Sequence, residues 1–223
     1  MVVQTHMVGP VDGVDATPRK TLGRPPDHDA AVTRALLIKT ARRAFGELGY
    51  AGTTYRVLAE RAGLAPSAAY HYFPTKADLY AAVHEDVQEH VYTEWIEPAL
   101  IGQATLAAKL DALLTAIHDM NRDDPTAAAF LATARVDTAR HQELRTVHDA
   151  LDARRGRLFD HIVDVGIGTG EIPPGGRALA GVLLEAMNLG LLELSAQPEH
   201  HRLAIEAYRR TVAPAMATLD AVG

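Results

Sequence analysis

Small and apolar residues recur every three or four positions from residue 29. Ala31, Ala35, Ile38, Ala41, Phe45 and Leu48 mark one face of a helix that Gly49 is placed to end, with Arg34, Lys39, Arg42 and Arg43 largely off that face. In GTTYRVLAERAG, Thr53 and Thr54 offer hydroxyl caps, Val57, Leu58, Ala59 and Ala62 supply buried positions, and Gly63 is a stop. A second helix of little more than two turns is therefore predicted. Leu64 and Ala65 make a turn, and Pro66 opens a third helix, PSAAYHY, that Phe73-Pro74 breaks. Thr75 then caps a fourth, KADLYAAVHEDVQEHV. Segments near 104–121, 126–138, 142–165, 176–196 and 199–219 repeat the same spacing, separated by NRDDP, GIGTGEIPPGG and AQPE. No strand pattern appears. The predicted fold class is all-α, with an N-terminal three-helix helix-turn-helix domain and a larger C-terminal helical domain.

Two short helices joined by a glycine-containing turn form a unit whose second helix enters the DNA major groove. Such a helix needs short side chains where its backbone approaches base edges, and longer hydrogen-bonding ones where it grips phosphates. Pro66, Ser67 and Ala68 supply the first; Tyr70, His71 and Tyr72 supply the second. These three rings are consecutive, so they point in different directions and cannot form a single core stripe, whereas Phe73 is expected inside. Lys76 lies in the first turn of the fourth helix, where its charge and the free backbone N–H groups both favour a phosphate.

Charge changes the picture when it is divided along the chain. Residues 19–80 carry ten Lys or Arg against five Asp or Glu, and residues 81–223 carry twelve against twenty-one, within a net charge of -6. A basic segment attached to an acidic body suits one module that faces phosphates and another that avoids them. Three units follow: 1–28 as a basic arm, 29–76 as the DNA-binding domain and 77–223 as the remaining helical domain. In the arm, PRKTLGRPPDHD carries Arg19, Lys20 and Arg24 without apolar periodicity, and reads either as a minor-groove arm or as a solvated tail. The absence of cysteine excludes disulfides and thiolate metal sites. With no long uncharged apolar run and no basic residue ahead of an apolar N-terminal stretch, neither a membrane span nor a secretory signal is expected, and a cytoplasmic location follows.

GYAGTTYRVLAERAGLAPSAAYHYFPTKADLYAAV resembles the DNA-binding domain of the tetracycline-repressor (TetR) family of bacterial transcriptional regulators, over roughly residues 30 to 83. The resemblance implies phosphate contacts from Tyr70, His71, Tyr72 and Lys76, and backbone contacts across the groove from Thr54 and Tyr55. Two departures stand out. Ala65 replaces the family's frequent serine or threonine, so the third helix leans on Pro66 and Ser67, and the usual tyrosine-histidine order is reversed at His71-Tyr72. The resemblance further implies a homodimer on a palindromic operator, formed through the last two long helices, and a small-molecule effector whose binding releases a repressor. RALAGVLLEAMNLGLLELSA and RLAIEAYRRTVAPAMATL fit the dimer role or packing within one chain. Trp95, His118, Met120, Phe130, Phe159 and Met187 lie on the predicted inner helices and are candidate pocket walls, as well as ordinary core positions.

HIVDVGIGTG, residues 161–170, resembles the glycine-rich loop of S-adenosylmethionine-dependent methyltransferases, but that chemistry needs a strand before the glycines and a helix directly after them. The helical stripe of Leu144, Val147, Leu151, Leu158, Ile162 and Val165 runs instead up to Gly166, which disfavours the methyltransferase, while the split of charge and the third helix argue against a helical enzyme or ligand carrier without a DNA role. The eleven histidines show no H-E-x-x-H or similar spacing, so no metal and no cofactor is expected.

Overall fold

The computed structural model describes residues 26–219, and their regular elements are all helical. The basic arm with Arg19, Lys20 and Arg24 lies outside the described residues. The first four helices are α1 (Pro26–Gly52), α2 (Tyr55–Ala62), α3 (Pro66–Tyr72) and α4 (Lys76–Gln88). Their ends follow from local chemistry. At Gly49 the backbone takes φ 69° and ψ 175°, so α1 kinks there before its last residues. Thr54 caps α2 by accepting from the Val57 N–H, and Gly63 closes it at φ 67°. Thr75 and Asp78 cap each other's backbone at the start of α4, a complete capping box. The N-cap of α3, Ala65, makes no side-chain cap bond, and Pro66 opens the helix.

The buried face of α1 is narrower than its periodicity suggests. Leu37, Ile38, Ala41, Ala44 and Phe45 are buried, whereas Ala31, Ala35 and Leu48 are exposed. Full burial on this helix, which packs on α2, α4 and the later helix α7 (Pro125–Arg140), begins at Leu37. Arg42, expected off the apolar face, is only 8% exposed.

Beyond Gln88, α4 runs on through a π-helical stretch, Glu89–Ile96, and a final turn, α5 (Glu97–Leu100). The wider turn of that stretch, closed by a Glu97 N–H to Tyr92 carbonyl bond, buries Val91, Tyr92 and Ile96 together. The remaining helices are α6 (Leu106–Asp123), α8 (Arg145–Gly168), α9 (Arg177–Leu194) and α10 (Pro198–Met216). In this bundle α6 packs on α10, α8 packs on α9, and α7 touches α6, α8 and α9 while lying along α1.

One apolar core runs through both parts of the chain. Phe45 of α1 meets Tyr80 of α4 edge-on at 4.8 Å between ring centroids, and Tyr80 meets Phe130 of α7 at 5.2 Å. The expected boundary between residues 76 and 77 therefore falls at the start of a helix whose Leu79, Tyr80 and Val83 pack in this shared core.

Candidate nucleic-acid interface and cavity

The outer face of the helix-turn-helix is built from α3. Pro66 and Ser67 are exposed, Ala68 is half-buried, and Ala69 is fully buried against the domain, so the small residues opening the helix face outward. Tyr70 is 54% exposed and its ring lies 4.1 Å from that of Tyr55, while His71 is exposed and stands at right angles to the half-buried Tyr72. Thr54 is exposed beside them; its oxygen accepts the Val57 N–H at 3.3 Å and its own proton remains free to donate.

Two residues of this set turn inward. The Tyr55 side chain is buried and its hydroxyl donates to the Phe73 carbonyl at 2.6 Å, so that hydroxyl is engaged within the domain. Burial, then the neighbouring Tyr70 and Asp78, pushes its pKa up to about 12, so the hydroxyl remains a donor. Tyr55 ties α2 to the end of α3 and supports the Tyr70 ring from below. Tyr55→Phe is expected to cost about 1–2 kcal/mol in urea denaturation, because the Phe73 carbonyl loses its donor; unchanged stability would show that the bond contributes nothing. Lys76 is the second case. Its ammonium donates to the Tyr50 carbonyl at 2.7 Å and lies 4.1 Å from the Tyr50 ring centroid, and burial lowers its pKa against the upward pull of Glu143 and Asp137. Two of its N–H groups are left for a phosphate.

Arg56 was not picked out from the sequence. It is exposed in the first turn of α2, two residues from Thr54, and forms no ion pair among the described residues. Only the position of its helix distinguishes it from other exposed arginines.

A cavity of about 210 Å³ lies in the C-terminal bundle, between the π-helical stretch and α6 to α10. Met120 and Phe159 line it, and the other four candidates do not. Phe130 sits on the opposite face of α7 and joins the Phe45–Tyr80 cluster. Met187 is buried in the core, and Trp95 packs edge-on to His90 at 6.5 Å. His118 is one layer behind the wall, stacked 6.2 Å from His201, which does line the cavity. Burial, then the adjacent His118, lowers the His201 pKa, so its ring is neutral.

Polar groups reach the cavity on two sides. Arg155 bonds to Asp152 at 2.8 Å and to Glu185 at 3.0 Å; burial alone would lower its pKa, but the two carboxylates outweigh it and hold the pKa up. Burial likewise pushes Tyr92 up to about 12 against the opposing charges of Arg155 and Arg154. Opposite them, Asn121 donates to the Ser195 carbonyl at 3.1 Å. The glycine run near residue 166 belongs to the last turns of α8, so the strand that a methyltransferase loop requires is replaced by helix. No helix among the described residues is long and apolar enough to cross a membrane.

A short capped helix pair presenting a small-residue helix start, joined to a hollow helical bundle, defines a helix-turn-helix DNA-binding protein. Residues 37–83 match the profile of the bacterial regulatory proteins of the tetR family. The matched stretch is the DNA-binding part of transcriptional regulators. An uncharacterized HTH-type transcriptional regulator of Mycobacterium tuberculosis is 29% identical over 152 residues, which cover 67% of this chain and 68% of that protein. The HTH-type transcriptional regulator TtgR of Pseudomonas putida is 40% identical over 62 residues, covering 28% and 30% of the two chains. The structure of Salmonella enterica GusR superimposes with a TM-score of 0.67 over 88% of this chain and 99% of that one, at 21% identity, a likeness of fold.

Proposed function

We propose that the protein is a repressor that binds a palindromic operator as a homodimer and leaves it when a small molecule fills the cavity of the C-terminal bundle. Pro66, Ser67 and Ala68 let α3 approach base edges, while Thr54, Arg56, Tyr70, His71, Tyr72 and Lys76 hold phosphates on either side. The dimer forms through α9 and α10, whose Val182 and Leu203 are exposed apolar side chains that a second copy covers.

The observation that carries the release mechanism is the placement of α7. One of its faces, with Ala128, Leu131 and Arg135, lines the cavity. The opposite face holds the DNA-binding part by three kinds of contact: Phe130 enters its core, the Thr133 hydroxyl donates to the Gly46 carbonyl at 3.1 Å, and the Asp137 carboxylate accepts the Tyr50 N–H at 2.8 Å. Tyr50 in turn accepts from Lys76 at the start of α4. A ligand that shifts α7 therefore moves α1 and the phosphate anchor with it. Two recognition helices must sit about 34 Å apart to read successive turns of DNA, so a displacement of a few ångströms spoils simultaneous docking.

Linkage supplies the test. A compound found by thermal shift to bind the free protein is titrated against the protein alone and against its complex with the DNA upstream of its own gene. The affinities are expected to differ at least about fivefold. Equal affinity in the two states for every cavity-binding compound would overturn release by an effector.

A further inference from the structure

The chemistry of the cavity wall narrows what it accepts. Asn121 is 8% exposed, and its Nδ2 bonds to the Ser195 carbonyl, which sets the orientation of the amide because the flipped form would press two acceptors together. That leaves Oδ1 facing a buried environment with no hydrogen-bond partner among the described residues, a costly state for a desolvated acceptor. Asn121 is among the residues that line the cavity, which puts this unpartnered acceptor in its wall.

Charge is the second constraint. The ionic groups around the cavity are balanced, Arg135 and Arg155 against Asp152 and Glu185, and Arg155 is already bonded to both carboxylates. His201 is neutral and the Tyr92 hydroxyl keeps its proton, both through burial. An ion entering such a site loses its hydration and meets lining charges that sum to zero, with Arg155 and both carboxylates bonded to one another and Arg135 left without an ion pair among the described residues. Size is the third. An apolar cavity of about 150 Å³ accepts a single benzene ring, so about 210 Å³ leaves room for a two-ring compound.

We infer that the cavity takes an uncharged, largely apolar molecule of two-ring size that donates one hydrogen bond to Oδ1 of Asn121. The biological role of that molecule rests on the effector reading above; its binding to the free protein does not.

The experiment is isothermal titration calorimetry of the full chain, without DNA, with three probes that share one ring body: 2-naphthol, 2-methoxynaphthalene and 2-naphthoate. 2-Naphthol is expected to bind about tenfold more tightly than either of the others, because only it brings an uncharged donor. In Asn121→Leu the advantage of 2-naphthol over 2-methoxynaphthalene should shrink to about twofold or less. The probe comparison is made on the unaltered chain, so it stands even if the variant does not fold. Equal or tighter binding of 2-methoxynaphthalene or 2-naphthoate overturns the inference, as does failure of all three probes to bind or a naphthol preference that survives in folded Asn121→Leu. A mobility shift with operator DNA then separates the two readings: 2-naphthol that binds as expected but leaves operator affinity unchanged counts against release by an effector and leaves the ligand class standing.

Discussion

Ala68→Leu is expected to lower operator affinity by about a thousandfold, towards the level of random DNA, without unfolding the protein. The reasoning starts from the two sides of α3. Ala69 is fully buried and seats the helix on the domain, whereas Ser67 is exposed and Ala68 half-buried on the side turned away from it. Leucine is a good helix former, so the helix persists and its inner face keeps its packing. The added carbons instead stand between the helix backbone and the base edges, where separations of about 3 Å decide whether a hydrogen bond forms. Circular dichroism and the oligomeric state are expected to match those of the unaltered chain. Undiminished operator affinity in a folded variant would mean that this face of α3 does not enter the groove.

The largest expected effect on stability comes from Arg42. Its guanidinium bonds to Asp124 at 2.6 Å and lies 3.8 Å from Asp86, joining α1 to the start of α7 and to α4. Burial by itself would raise the Asp124 pKa, but hydrogen bonds from Thr126 and the charge of Arg42 outweigh it and hold the carboxyl below its usual range. Arg42→Ala removes the cation, leaves a half-buried carboxylate without its main counter-charge and opens space between the helices. A loss of about 3 kcal/mol in urea denaturation is expected. Arg42→Met, which fills the space without the charge, should lose less. A double-mutant cycle with Asp124→Asn isolates the pair; a coupling below about 0.5 kcal/mol would show that the contact merely accompanies the packing of α1 on α7.

The tyrosine-rich stretch illustrates how far the chain's own pattern reaches. That Tyr70, His71 and Tyr72 cannot share one face follows from consecutive positions on a helix, and the structure has Tyr70 and His71 exposed with Tyr72 half-buried. Nothing in the spacing, however, distinguishes Tyr55 from them. Whether a tyrosine hydroxyl meets solvent or a carbonyl eighteen residues away depends on how α2 crosses α3, and that crossing brings Tyr55 to the Phe73 carbonyl. Arg56 was missed for the same reason, because an exposed arginine gains meaning only from the helix end on which it stands.

The sequence by itself determined where the helices begin and end and which of them form the helix-turn-helix. Those ends are set by Thr54, Gly63, Pro66 and Thr75 through bonds and backbone preferences that reach no further than four residues. Only the tertiary structure decided what the periodic faces meet. Ala31 and Ala35 share the spacing of Ile38 and Ala41 and stay exposed, Phe130 goes to the DNA-binding core while Met120 and Phe159 line the cavity, and Arg42 is buried because Asp124 lies opposite. The physical reason is one of range. A cap is a local bond, but burial, ion pairing and cavity walls are properties of surfaces brought together from distant segments, and a 3.6-residue period names a face without naming its neighbour.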